Sequence, residues 1–156
     1  MPRVWLAQPQ HAGAVARLMG AFRDHLGLDR PSDAEVAAGV ARLLGDADTE
    51  FLLGAADGDR VAAGVAQLRF RYGIWRAGGD CLLEDLFVDS SARGAGLGRA
   101  LLDATIERAR ARGCRRLELD VNEANATALR LYESAGLSAS ANPYGARDLY
   151  MRLHLD

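Results

Sequence analysis

Leu82-Leu83-Glu84-Asp85-Leu86-Phe87-Val88-Asp89-Ser90-Ser91-Ala92-Arg93-Gly94-Ala95-Gly96-Leu97-Gly98-Arg99 is the stretch that decides how this 156-residue chain is read. Leu82 to Val88 is a short apolar run of strand length, interrupted by two adjacent carboxylates. Arg93 to Arg99 sets three glycines at alternate positions between two arginines. A helical pattern then starts about Leu97 or Gly98, with Leu101, Leu102, Thr105, Ile106 and Ala109 on one face and Gly113 as its stop. Glycines at a strand-to-helix junction let the backbone turn sharply and bare their N–H groups, and the helix start adds unpaired amides and the positive end of its dipole. Such a junction suits an anion, with Arg93 and Arg99 able to pair with phosphate oxygens. For the glycines alone, an ordinary connector is the alternative.

Upstream, residues 3–8 read as a strand, and Val15, Leu18, Met19, Phe22 and Leu26 mark an amphipathic helix. Ser32 with Glu35 is a capping box opening a second helix through Val36, Val40, Leu43 and Leu44. Phe51 to Ala55 and Val61 to Phe70 read as strands joined by the turn Asp57-Gly58-Asp59, and residues 71–80 as an aromatic, glycine-bearing connection. Downstream, Leu117 to Val121 reads as a strand, Asn125 as the N-cap of a short helix ending at Gly136, and Leu149 to Leu155 as a last strand. The order β-α-α-β-β-β-α-β-α-β predicts one α/β domain over residues 1–156, a mixed sheet with helices on both faces.

Composition narrows the chemistry. Apolar residues make up 49% and charged residues 26%, as in a globular domain. The net charge of −2 gives no general pull toward nucleic acid or acidic membranes. No run reaches the ~18 apolar residues of a membrane helix, and the opening MPRVWLAQPQ has no signal-peptide core, so the expectation is a cytoplasmic protein without membrane or nucleic-acid partners. All 19 basic residues are arginine, which excludes a lysine Schiff base and a lysine-anchored P-loop. Cys81 and Cys114 form no CxxC, and His11, His25 and His154 have no ligand spacing, so no metal is expected. The arginines at 108, 110, 112, 115 and 116 read as a solvated helix end. A nicotinamide fold would want GxGxxG directly after the strand; here the spacing is GxGxG with Asp89 to Arg93 intervening, and about 35 residues after Asp120 are too few to finish a doubly wound sheet.

The pattern Arg93-x-x-Gly96-x-Gly98 after Leu86-Phe87-Val88, with Asn125 and Leu131-Tyr132-Glu133-x-x-Gly136-Leu137 downstream, resembles the GNAT superfamily of N-acetyltransferases. The resemblance covers roughly residues 3–153, its specific motifs lying within 84–137. It implies a mostly antiparallel GNAT-like sheet and acetyl-CoA as donor. The amides of Gly94, Ala95, Gly96, Leu97, Gly98 and Arg99, with Arg93, would hold the pyrophosphate. Leu86, Phe87 and Val88 would pair through their backbone with the pantetheine arm. Asn125 would add a cofactor hydrogen bond, a role compatible with capping.

Acetyl transfer to an amine requires loss of the amine's proton and protonation of the departing thiolate. A tyrosine, ordinarily titrating near 10, can protonate a thiolate of ordinary value near 8.5. The resemblance puts Tyr132 in that role; a core tyrosine is the plain alternative. Adjacent carboxylates in a strand alternate between faces, so one of Glu84 and Asp85 is expected in the cleft. Glu84 is the candidate base, working through a water if partial burial raises its pKa, and Asp85 the candidate anchor, with two structural ion pairs as the alternative. Phe70-x-Tyr72-x-x-Trp75 followed by the acidic strand is similar to diamine and thialysine acetyltransferases, which implies Tyr72, Trp75 and Asp85 around a cationic amine. Where that branch carries a tyrosine-glutamate pair, this chain has His25-Leu26, so a single-amine acceptor stands beside a polyamine. The expected function is acetyl transfer to a primary amine of a small molecule or peptide by direct attack. A non-catalytic acetyl-CoA sensor is the rival, and a homodimer joined through C-terminal strands is an analogy with the family.

Overall fold

The computed structural model describes all 156 residues. The elements are β1 (Arg3–Leu6), α1 (Ala12–His25), α2 (Asp33–Leu44), β2 (Thr49–Ala55), β3 (Gly64–Gly73), β4 (Gly78–Val88), α3 (Leu97–Ala111), β5 (Cys114–Glu118) and α4 (Ala126–Ser134). The chain gathers into two compact units, Met1–Leu119 and Asp120–Asp156.

In the first unit the five strands lie in sequence order. All neighbours are antiparallel except β4 and β5, which are parallel and joined across α3. One parallel pair rules out a doubly wound sheet. Residues 71–80, expected as a connection, instead extend β3 and β4 into a long hairpin: Tyr72 pairs with Gly79, and only residues 74–77 form the turn. Val61, expected inside β3, lies before it and is exposed.

The two faces of the sheet are covered differently. Phe51, Leu53, Val65 and Phe87 pack with Val15 and Leu18 of α1 and Val40 of α2. Leu97, Leu101, Leu102 and Thr105 of α3 are buried against the opposite face. Gly54 and Gly64 lie directly opposite each other on β2 and β3. A Cβ on Gly54 would come within 2.7 Å of Leu97 Cδ1, and one on Gly64 within 2.8 Å of Leu101 Cδ1. These two bare positions let the first turn of α3 seat closely on the sheet, which fixes where the glycine turn before it stands.

Local signals act as written. Ser32 Oγ accepts from the Glu35 amide and the Glu35 carboxylate accepts from the Ser32 amide, closing the capping box of α2. The arginine run is a set of specific ties rather than a solvated end. Glu50, nearly buried, holds Arg108 at 2.8 Å and Arg112 at 3.2 Å, and Asp80, also buried, holds Arg116 in a two-pronged pair. Burial pushes the Glu50 carboxyl up, but the hydrogen bonds and charges of Arg108 and Arg112 outweigh it and leave it below its ordinary value. A group lowered on folding stabilises the native state above its unfolded value, about 4.3, and that contribution fades as pH falls through the lower folded value. Glu50→Gln should therefore lower Tm at pH 7 by about 4–8 °C, for roughly 2 kcal/mol, and flatten the acid limb of Tm against pH; calorimetry from pH 3 to 7 measures both.

The second unit holds α4, whose N-terminus is capped as expected: Asn125 Oδ1 accepts from the Ala128 amide. The expected last strand is not formed. Leu149, Met151, Leu153 and Leu155 are exposed, and residues 149–155 pair with no strand. Apolar–polar alternation makes a strand only where a neighbour supplies the ladder of hydrogen bonds.

Candidate functional site

Gly94 and Gly96 both adopt φ of +78°, a left-handed conformation that any other residue enters at a penalty, and Gly96 is the N-cap of α3. The amides of Gly94, Ala95, Gly96, Leu97 and Gly98 find no hydrogen-bond acceptor in the chain; the first helical bond is Ala100 N to Gly96 O. The side chain of Leu97 is buried in the core, so this open rank of donors stands on a fixed base. Arg93 is turned back on the strand end, Nε donating to Val88 O at 3.2 Å and Nη2 lying 3.4 Å from His25 Nδ1. Arg99 Nε donates to Asp103 one turn along α3.

β4 leads into this turn with one edge open. Its pairing with β5 ends at Leu82 opposite Glu118, whereas its pairing with β3 continues to Val88. Leu86, Phe87 and Val88 thus lie where β4 has no strand partner on the β5 side, and an extended ligand can add there.

The same region departs from the sequence reading at Glu84. Asp85 is opposite Gln67 and Leu83 opposite Leu68, which leaves Glu84 as the extra residue of a β-bulge. The bulge cancels one alternation. Glu84 takes hydrogen bonds from Gln67 Nε2 at 3.2 Å and Arg69 Nη1 at 3.3 Å, so it shares a face with Asp85 instead of opposing it. Both carboxylates therefore stand on the α1/α2 side. Glu84 is 42% exposed and ion-paired with Arg69.

Asp85 and Gln67 form part of the floor of a cleft of about 320 Å³ between α1, the α1–α2 connection and α2. Its walls are mainly apolar, including Phe22, Leu26, Val36 and Leu43. Gln67 was missed in the sequence; its one signal is that it is the sole polar residue between Gly64 and Leu68. The other acceptor candidates are not gathered here. His25 packs against Phe87 and Arg93. Tyr72 and Trp75 lie exposed toward the far end of the β3–β4 hairpin, six positions from Asp85 by register, roughly 20 Å. A larger hollow lined by Arg3, Trp5, His11, Arg17 and Arg60 shares no residue with this cleft or the glycine turn. In the second unit, Tyr132 is half-buried in the last turns of α4.

A nucleophilic thiol is disfavoured. Burial, helped by Cys114 and Glu50, pushes the Cys81 thiol up to about 12, and Cys114 is also raised, chiefly by burial. A disulfide-exchange reagent at pH 8 should leave Cys81 unlabelled in the native protein and label both thiols after denaturation; rapid native labelling of Cys81 would contradict its burial.

The family model of the acetyltransferase (GNAT) family matches residues 17–137. A crystal structure from Arthrobacter sp. FB24, assigned as an acetyltransferase, is 33% identical over 99% of this chain and 96% of its own, with a TM-score of 0.85. An aminoglycoside N-acetyltransferase solved with CoA shares the fold at 20% identity and a TM-score of 0.78, covering 99% of this chain and 96% of its own. Among curated proteins, mycothiol acetyltransferase of Beutenbergia cavernae is 50% identical over 56 residues, 36% of this chain. The chain spans only about a fifth of that relative's length, at 19%.

Proposed function

Because the chain belongs to the GNAT acetyltransferase family, we propose that it is an enzyme, one N-acetyltransferase domain over residues 1–156, that moves an acetyl group from acetyl-CoA directly to a primary amine of a small molecule or peptide. The observation that carries this reading is the rank of unpartnered amides from Gly94 to Gly98, continuous with the open edge of β4.

Acetyl-CoA, when bound, supplies an activated acyl carbon. The amides of Gly94 to Arg99 hold its diphosphate, Arg93 contributes positive charge once drawn off the Val88 carbonyl, and Asn125 adds a hydrogen bond. The backbone of Leu86 to Val88 pairs with the extended arm and sets its direction. The acceptor enters over Asp85 and Gln67. As the C–N bond forms and the C–S bond breaks, the amine gives up two protons in all and the sulfur gains one. Tyr132 donates at the sulfur from its phenol, and Glu84, open to solvent and bonded to Gln67, accepts through water. A cytoplasmic location and a homodimer go with this reading; the exposed apolar residues of 149–155 support the latter.

The direct test measures thermal stabilisation by acetyl-CoA and thiol release with a panel of amines. Stabilisation together with amine-dependent thiol release is expected. Stabilisation without release on any amine would make the domain a sensor, and equal stabilisation by NAD with none by acetyl-CoA would end the reading.

A further inference from the structure

The arginine-lined hollow stands across α1 from the Asp85 cleft: Gly13, Ala14 and Arg17 of α1 line the one, Met19, Phe22 and Leu26 the other. Its volume, about 690 Å³, lies within the roughly 300–1,000 Å³ of small-molecule sites. Its charged lining is Arg3, Arg17 and Arg60, with no carboxylate, in a chain whose net charge is −2. Two of these guanidinium groups are held in place. Arg17 Nη2 donates to the Ala62 carbonyl at 2.6 Å, and Arg3 Cζ lies 4.6 Å from the centre of the Trp5 ring. A guanidinium carries five N–H donors, so Arg17 keeps most of its own for a ligand. His11 adds another. Its Nδ1 accepts from the Gln8 amide at 2.9 Å, which leaves Nε2 to carry the proton even when the ring is neutral. The acidic neighbours of Arg60 in sequence, Asp57 and Asp59, do not line the hollow, and Asp57 is taken by the Met1 amine at 3.0 Å. The polar side chains here are therefore donors throughout, set beside the apolar surface of Trp5, Val61 and Ala62.

We propose that this hollow is a second ligand site, separate from the glycine turn, for a small organic phosphate whose head meets Arg3, Arg17, Arg60 and His11 and whose apolar body lies along Trp5 and Val61. Charge decides between oxyanions. A phosphate monoester carries about −1.5 to −2 at pH 7 and offers three acceptor oxygens, against one charge and two oxygens for a carboxylate. Three arginines, whose planar forks match phosphate, answer the larger charge more fully. The site needs neither acetyl-CoA nor acetyl transfer, so it stands or falls apart from the proposed function. Gly13 gives the sharpest test. It lies in the first turn of α1 and lines the hollow, and a Cβ there meets nothing within 4 Å. Gly13→Glu sets a carboxylate among the arginines; an acidic residue suits a helix start and glycine is a weak helix former, so the fold persists.

Calorimetry would titrate phenyl phosphate into the wild type, Gly13→Glu, Arg60→Gln and Gly96→Ala, with inorganic phosphate, benzoate and benzyl alcohol as comparators and a thermal melt of each variant. Arg60 is exposed and lies outside every helix and strand, so Arg60→Gln carries the test by itself should Gly13→Glu fail to fold. The proposal expects phenyl phosphate to bind at least tenfold tighter than any comparator. It expects binding at least tenfold weaker in Gly13→Glu and in Arg60→Gln, and an unchanged Kd in Gly96→Ala. Failure of phenyl phosphate to bind, a comparator binding as tightly, or unchanged binding in a folded Gly13→Glu or in Arg60→Gln would overturn it. So would loss of binding in Gly96→Ala, which would place the phosphate at the glycine turn. The outcome is independent of thiol release: phosphate binding here with no acetyl transfer on any amine retains this site and removes the transferase, and the reverse result does the opposite.

Discussion

Replacing Gly96 with alanine should weaken acetyl-CoA binding by about 10- to 100-fold while leaving the protein folded. The position holds φ of +78°, where a Cβ costs about 1–2 kcal/mol, so Tm should fall by roughly 2–8 °C. That loss is modest because a Cβ at Gly96 meets no protein atom within 4 Å. The larger effect falls on the ligand. The turn relaxes toward negative φ, carrying the neighbouring amides out of line, and each hydrogen bond lost to a charged group is worth about 1.5–3 kcal/mol. Titration calorimetry with acetyl-CoA beside a thermal melt distinguishes the effects. A normal Kd in a folded variant would remove the glycine turn as the diphosphate site.

Tyr132→Phe should lower kcat by about 10- to 1000-fold with the Kd of acetyl-CoA nearly unchanged. The substitution keeps the ring and deletes only the hydroxyl, so the side chain's packing in α4 persists. What disappears is a proton donor, and general acid catalysis typically contributes within or near that range. A loss confined to kcat marks an interaction made in the transition state. Full turnover in the variant would return Tyr132 to the plain structural role that its half-buried position also allows.

Much of the scaffold was legible because its signals are local. The Ser32–Glu35 cap, the Asn125 cap, the apolar stripes of α1 and α3 and the glycines before α3 act over three or four residues, and each appears in the structure where the pattern places it. The limits of local reading are equally specific. Residues 149–155 alternate like a strand but pair with none, and 71–80, rich in glycine and aromatics, pair as a hairpin.

The amino-acid sequence by itself determined the helices, the glycine turn before α3 and the family. Only tertiary structure decided that Glu84 and Asp85 share a face, that Gln67 joins them beneath α1 and α2, and that Tyr72 and Trp75 stand away from them. The physical reason is pairing across distance. A bulge depends on the register between two strands, pairing residues far apart in the chain, as in the Gln67–Glu84 bond across 17 positions. A cleft depends on which helices cover which face, and neither is encoded in the spacing of near neighbours.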